Sequence, residues 1–213
     1  MVAAPSGAGK TSLVKALILS MPNVEVAVSH TTRKRRPDEV DGVNYHFVDQ
    51  ARFKQLQTQD AFVESAQVFG NLYGTSRQAI DEIADIGHHT ILEIDWQGAA
   101  QIRQRDPMSV HIFILPPSLE ALRSRLLTRG QDDPETIAKR MNEAINEMSH
   151  YREFDYLVVN DQFDEALEDL THIVQGRGED LRVQTQYARH QVLIDALLAK
   201  NSAVMPSPSH KNV

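Results

Sequence analysis

Ala4-Pro5-Ser6-Gly7-Ala8-Gly9-Lys10-Thr11 is the stretch that decides the fold. It matches the phosphate-loop pattern except at its first position, where alanine replaces glycine. Gly7 and Gly9 permit backbone conformations that turn successive N–H groups inward around phosphate oxygens. The helix expected next places its positive N-terminus on the same anion. Lys10 can reach the β- and γ-phosphates of a nucleoside triphosphate, and the Thr11 hydroxyl can ligate Mg²⁺. A glycine-rich turn that merely caps a helix is the plainer alternative. Against it, Leu13, Ala16, Leu17 and Met21 follow at helical spacing. The loop indicates a bound triphosphate and names no reaction.

Upstream, only Met1, Val2 and Ala3 precede the loop, where a buried central strand usually has about 5–6 residues. The expectation is that the natural chain begins earlier, with further apolar residues. Downstream, two periods alternate. Val24, Val26 and Val28 read as a strand, Asp49 as the cap of a short helix holding Phe53 and Leu56, and Phe62-Val63 and the surroundings of Tyr73 as extended. Ala79, Ile80 and Ile83 mark a helix stopped by Gly87. Thr90–Asp95 and Val110–Leu115 are strands, the second closed by Pro116-Pro117. Ser118 caps a helix through Thr128, and Pro134 opens another whose inner face carries Ile137, Met141, Ile145 and Met148. Tyr156–Val159 is a strand, with helices near 164–174 and 180–200 after it. Strands separated by helices predict an α/β fold with a mostly parallel sheet. The stretch from about 33 to 76 breaks the pattern with short extended pieces and turns, and reads as a small inserted substrate domain. The tail at 201–213 has no apolar periodicity and reads as disordered.

The 213 residues are 41% hydrophobic and 24% charged, enough for one domain with a real core. No run approaches a membrane span, and no signal peptide opens the chain. Cysteine is absent, so there is no disulfide framework or thiolate metal site. The net charge of −7 opposes nonspecific binding of nucleic acid. The dense basic patch Arg33-Lys34-Arg35-Arg36 therefore suits a small anion better than a polymer.

That patch lies in Ser29-His30-Thr31-Thr32-Arg33-Lys34-Arg35-Arg36-Pro37-Asp38-Glu39-Val40-Asp41-Gly42-Val43-Asn44-Tyr45-His46-Phe47. Two arginines three apart, with a tyrosine further on, can converge on one phosphate, because guanidinium forks match its oxygens bidentately. Taken alone, the stretch fits a solvated basic loop equally well.

It does not stand alone. It resembles the signature of guanylate kinases: Thr-Thr-Arg at 31–33, a basic residue at Arg36, an acid at Glu39, then Gly42 and Tyr45-His46-Phe47. The resemblance runs on, in family order, through Phe62-Val63-Glu64, Gly70-Asn71-Leu72-Tyr73-Gly74-Thr75, Glu93-Ile94-Asp95-Trp96-Gln97-Gly98, Phe113–Ser118, Arg125–Gly130 and Val159-Asn160-Asp161, to about Lys200. It implies a P-loop NTPase-type parallel sheet flanked by helices. The core would be 1–32 and 77–200, with a mixed α+β GMP-binding insertion at about 33–76 and a helical lid at about 126–145. It implies transfer of the γ-phosphoryl group of Mg·ATP to GMP, and to dGMP; the composition and charge read above suggest the cytoplasm, with no nucleic-acid or membrane partner. Homo-oligomers are compatible with it.

The resemblance also assigns roles. Ala4, Pro5, Ser6, Gly7, Ala8, Gly9, Lys10 and Thr11 would hold ATP, with Asn160 near its adenine. Arg33, Arg36, Tyr45 and Tyr73 would hold the GMP phosphate, and Ser29, Glu64, Thr75 and Asp95 would read the guanine. Glu39 and Glu93 would act through water on the Mg²⁺ held by Thr11. Arg125, Arg129 and Arg140, on the lid side, would meet the transferring phosphates together with Lys10 and Arg33. Three positions depart from the usual pattern without removing a needed group: Glu93 where many members have aspartate, Thr75 where some have serine, and Asp38 where glycine is frequent.

The residues agree with this independently. Guanine offers N1–H and an exocyclic amine on one edge, a donor pair that a carboxylate such as Glu64 accepts and adenine lacks. Arg125 and Arg129, four apart, project from one helical face, although a solvated face with salt bridges is the bland alternative. His111 reads as a satisfied core histidine, Trp96, Met141 and Met148 as packing residues, and the remaining histidines give no zinc spacing. Three competing functions are a noncatalytic guanylate-kinase-like interaction module, a ribose-bisphosphate kinase and a general P-loop ATPase. The intact Lys10 and Thr11 oppose the first, the base-reading Glu64 and Thr75 the second, and the acceptor-site residues the third.

Overall fold

Ile112–Leu115 is apolar at every position and no more than 3% exposed, as a strand covered on both faces must be. A computed structural model describes residues 1–128 and 134–199. Residues 129–133, which include Arg129 and part of the expected lid, and residues 200–213, which include the tail at 201–213, lie outside the described residues.

In chain order the elements are β1 (Val2–Ala3), α1 (Lys10–Ser20), β2 (Val24–Val26), β3 (His30–Thr31), β4 (His46–Phe47), α2 (Gln50–Thr58), β5 (Phe62–Val68), β6 (Asn71–Ser76) and α3 (Arg77–Asp85). There follow β7 (His89–Ile91), α4 (Trp96–Arg105), β8 (Ile112–Leu115), α5 (Leu119–Thr128), α6 (Pro134–Ser149), β9 (Tyr156–Val159), α7 (Phe163–Val174) and α8 (Val183–Leu198). Several helices start where their caps place them. The Asp49, Ser76 and Ser118 side chains accept the amides of Arg52, Ala79 and Ala121, meeting donors that the first helical turn leaves unpaired.

The main sheet is parallel. β2 pairs with β7, and β1, β8 and β9 pair in that order. The short β1 joins the two groups: the Val2 amide donates to the Leu92 carbonyl at 2.9 Å, and the Ile94 amide donates back to the Val2 carbonyl at 3.3 Å. The order is thus β2-β7-β1-β8-β9, with the first strand in the middle. In such sheets the connections leave in opposite directions at a switch point, and ligands bind there, beyond the carboxyl ends of the strands. The loop after β1 occupies that point.

Each face has its own core. Ile112, Ile114 and Val158 pack with Leu13 and Leu17 of α1 and Leu170 of α7. Phe113, Leu115 and Leu157 pack with Leu122 and Leu126 of α5, Met148 of α6 and Leu197 of α8. Fully burying one such side chain stabilises the fold by about 1.5–3 kcal/mol. No helix among the described residues is long and apolar enough to cross a membrane.

A second sheet, ordered β4-β3-β6-β5, is inserted in the chain between β2 and β7. It begins at His30, before the boundary expected at 33, because His30 and Thr31 pair with Gly74 and Tyr73 across β6. The β5–β6 hairpin turns through Phe69 and Gly70, both at positive φ, the conformation that a two-residue connection favours.

Candidate active site

The phosphate loop is built as its glycines require. Gly7 and Gly9 have φ of 92° and 97°, a region that a side chain disfavours. A Cβ at Gly9 would also collide with the side-chain amide of Asn160. That amide donates to the Ala8 carbonyl at 2.6 Å, and Arg125 reaches the same carbonyl at 3.3 Å. Asn160, expected near a base, is only 4% exposed, and its side-chain nitrogen is committed to supporting the loop from below. Arg125 also donates to the Asn160 carbonyl, at 3.3 Å, so it braces the loop in this structure.

Lys10 and Thr11 open α1 and meet Glu93, which follows β7. The Thr11 hydroxyl donates to the Glu93 carboxylate at 3.0 Å, and the Lys10 ammonium lies 3.8 Å from it. A hydroxyl and a carboxylate side by side are hard oxygen donors, the kind that suits Mg²⁺.

The second sheet places the other predicted residues. Thr75 on β6 stands opposite Glu64 on β5, and its hydroxyl donates to Glu64 at 2.6 Å. Ser29, just before β3, bonds Thr75 at 2.9 Å. With the Thr75 proton given to Glu64, Ser29 is the donor. Gly98 on α4 lies so close that a Cβ there would sit 2.6 Å from Glu64 Oε2. Asp95 is the N-cap of α4, accepting the Gly98 amide at 2.8 Å. Thus Ser29, Glu64, Thr75 and Asp95, scattered in sequence, form one pocket.

Burial pushes the Glu64 carboxyl up to about 7; the Thr75 hydrogen bond and Lys10 oppose that rise, and Asp95 adds to it. An acid raised from 4.5 to about 7 contributes stability at low pH that is lost as pH rises through about 7. Glu64→Gln is therefore expected to raise Tm at about pH 8 and to change it little at about pH 4.5. Thermal melts at the two pH values check this. A Tm lowered at the higher pH would mean that the empty pocket stabilises the carboxylate.

Arg33 sits just after β3 among charged and aromatic neighbours. Its guanidinium grips Glu39 in two bonds, at 2.7 and 3.0 Å, and the Arg36 amide donates to the same carboxylate at 2.8 Å. Burial pushes the Glu39 carboxyl up, but these bonds outweigh it and hold it below its ordinary value. Glu39, expected beside the metal, is thus tied to the two arginines. Tyr45 and Tyr73 meet edge to face at 5.9 Å, with the Arg33 guanidinium 5.6 Å from the Tyr45 ring centre. Burial, then the neighbouring Glu93 charge, push the Tyr45 hydroxyl up to about 12, so it stays a donor.

Among the residues singled out as structural, His111 is 1% exposed in the core, and Trp96 stacks on His150 at 3.6 Å. A further polar contact to the loop has no sign in the sequence. The Ser6 amide donates to Glu147 of α6 at 3.2 Å. A glutamate on the polar side of an amphipathic helix gives no local sign of a partner 141 residues away.

A parallel sheet with a Gly-Lys-Thr loop at its switch point, facing a polar pocket and an arginine–tyrosine cluster, defines a P-loop phosphotransferase of the nucleotide-kinase class. The family model for guanylate kinase matches residues 1–177, and the chain belongs to that family. The guanylate kinase of Alkalilimnicola ehrlichii is 61% identical over 184 residues, covering 86% of this chain and 91% of that protein. That of Escherichia coli is 55% identical over 201 residues, covering 93% and 96%. A crystal structure of guanylate kinase from Anaplasma phagocytophilum superposes with a TM-score of 0.67 at 31% identity, covering 89% of this chain and 92% of that one.

Proposed function

We propose that this chain transfers the γ-phosphoryl group of Mg·ATP to GMP, and to dGMP, through the residues assembled above. The carrying observation is the pocket of Ser29, Glu64, Thr75 and Asp95. A buried carboxylate braced by the Thr75 hydroxyl, itself held by Ser29, suits the paired donors of guanine, and neither a ribose-bisphosphate kinase nor a plain ATPase needs it. The intact Lys10 and Thr11, beside Glu93, oppose a noncatalytic interaction module.

The roles follow from charge. A phosphate monoester has its second pKa near ~6 and is mostly dianionic at neutral pH, so the acceptor needs no strong base. The task is to bring two polyanions into line and neutralise charge that grows in the transition state. The loop amides and Lys10 hold the triphosphate. Thr11 and, through water, Glu93 would hold Mg²⁺, which would supply further charge neutralisation when bound. Arg33, Arg36, Tyr45 and Tyr73 receive the GMP phosphate, and Glu39 keeps the arginine forks aligned until it arrives. Arg125, Arg129 and Arg140 complete the cationic set. In this reading Asn160 acts by supporting the loop. The stretch at 30–76 is the acceptor-binding unit and 126–145 the lid, whose closure excludes water and suppresses ATP hydrolysis.

Initial rates with γ-labelled ATP test the reaction class. The label is expected in GDP whenever GMP is present. Release as inorganic phosphate at the same rate with or without GMP would make the chain an ATPase. Arg33→Ala and Arg36→Ala are each expected to raise KM for GMP by about 10- to 100-fold, from losing a charge-assisted bond of roughly 1.5–3 kcal/mol. KM for ATP should move little in the same assays. Equal weakening of both substrates would place the arginines outside the acceptor site.

A further inference from the structure

We propose that Glu147 is a positioning residue for phosphoryl transfer: by accepting the Ser6 amide it fixes α6, and with it Arg140, against the phosphate loop. The proposal rests on the functional reading above, because Arg140 matters only if phosphate is transferred beside it.

Arg140 and Glu147 are seven residues apart on α6. Seven residues are close to two turns, so both side chains project from one side of the helix, about 10 Å apart along its axis. One end of that side is bonded to the loop, through Ser6 and Glu147 at 3.2 Å. The other end carries the arginine.

The adjoining flank of α6 buries Ile137, Ala144 and Met148 in the core. Apolar contact presses the helix down, but it is not directional and tolerates sliding. A hydrogen bond to a fixed backbone amide is directional and sets where the helix stops. The amide it uses belongs to a rigid turn, in which the Ala8 amide bonds the Pro5 carbonyl at 3.0 Å. Glu147 therefore registers α6 on the same loop that grips the triphosphate.

The groups facing Glu147 are Lys10 on α1, Asp95 before α4 and Glu143 on α6 itself. Burial pushes its carboxyl up to about 7, with the Ser6 amide and Lys10 opposing and both acids adding to the rise. What the Ser6 amide requires is an acceptor oxygen at that place. An uncharged acceptor of the same shape should serve. The end of α6 has a separate anchor, the stack of His150 on Trp96 with rings 6° from parallel. Losing the Ser6 bond should leave the helix docked but less well placed.

The test is a double-mutant cycle on the full chain, reading kcat, both KM values and Tm. Glu147→Met is expected to lower kcat by about 100-fold, as a misplacement near 1 Å does, with KM for GMP changed by no more than about twofold. Glu147→Gln is expected to keep kcat within about threefold, because its carbonyl accepts the same amide. In the Arg140→Ala background, Glu147→Met is expected to add almost nothing, since residues acting as one unit are not additive. Emission of Trp96, the single tryptophan, should be unchanged if the helix end is still docked. If Glu147→Met does not fold, Glu147→Asp shortens the reach by one methylene and gives the same readout. The proposal is overturned by a native kcat in Glu147→Met, by equal damage from Gln and Met, or by equal losses in both Arg140 backgrounds. A native kcat in Arg140→Ala alone overturns it too. A native enzyme that does not phosphorylate GMP would instead sink the functional reading, so the two failures are distinct.

Discussion

Lys10→Met is expected to remove nearly all phosphoryl transfer from a protein that stays folded. The lysine opens α1 beside the phosphate loop, 3.8 Å from Glu93 and one-fifth exposed. A partly exposed pair of that length contributes no more than about 1 kcal/mol to stability, so Tm should hardly move. In the proposed reaction the charge that Lys10 meets is different in kind. It would grow on the bridging and γ-oxygens as the phosphoryl group moves, in a site that the proposed lid closes to water. Removing one such stabilising group lowers kcat by about 10²–10³-fold, and the effect belongs to the transition state, so KM for GMP should be nearly native. Steady-state rates and a melting curve on the same preparation suffice. A folded variant with near-normal kcat would show that this loop does not hold the reacting phosphates.

Glu64→Ala is expected to collapse the choice between bases. The carboxylate is 4% exposed, takes the Thr75 hydroxyl at 2.6 Å, and in the proposed complex takes the two guanine donors as well. Sites built to hydrogen-bond a particular group can reject an analogue lacking it by about 10⁴-fold. Most of that ratio between GMP and AMP should disappear in the variant, chiefly through loss of kcat/KM for GMP. Retention of the native ratio would mean that the base is read elsewhere. The expected gain in stability from Glu64→Gln at high pH is the other side of the same fact. A carboxylate held in a buried pocket for its ligand is a burden while the pocket is empty.

The residues that were legible in the sequence act locally. The phosphate loop is contiguous and its glycines have one physical use. Asp49 and Ser118 each sit just before an apolar helical period, and both cap as expected. The Ile112–Leu115 strand declares its burial by having no polar position. What could not be read is long-range. Asn160 reaches Ala8 across 152 residues, and nothing near either marks the contact. Glu147 is one acid among several on α6, and only the approach of Ser6 separates it from them. The second sheet extends back to His30 because pairing with Tyr73 and Gly74, not composition, sets its edge. The Glu39 carboxylate binds arginines three and six positions before it, a choice made by the turn between them rather than by residue type.

In the proposed reaction, specificity for the acceptor is set by the residues around Glu64 and is directly measurable. With Mg·ATP fixed, kcat/KM is to be measured on the native enzyme for GMP, AMP, UMP and a ribose bisphosphate in turn. GDP formation from GMP is expected, with every other acceptor slower by about 10³-fold or more, since none offers the donor pair that the Glu64 pocket accepts. Comparable rates with AMP, or a preference for the ribose bisphosphate, would contradict this reading.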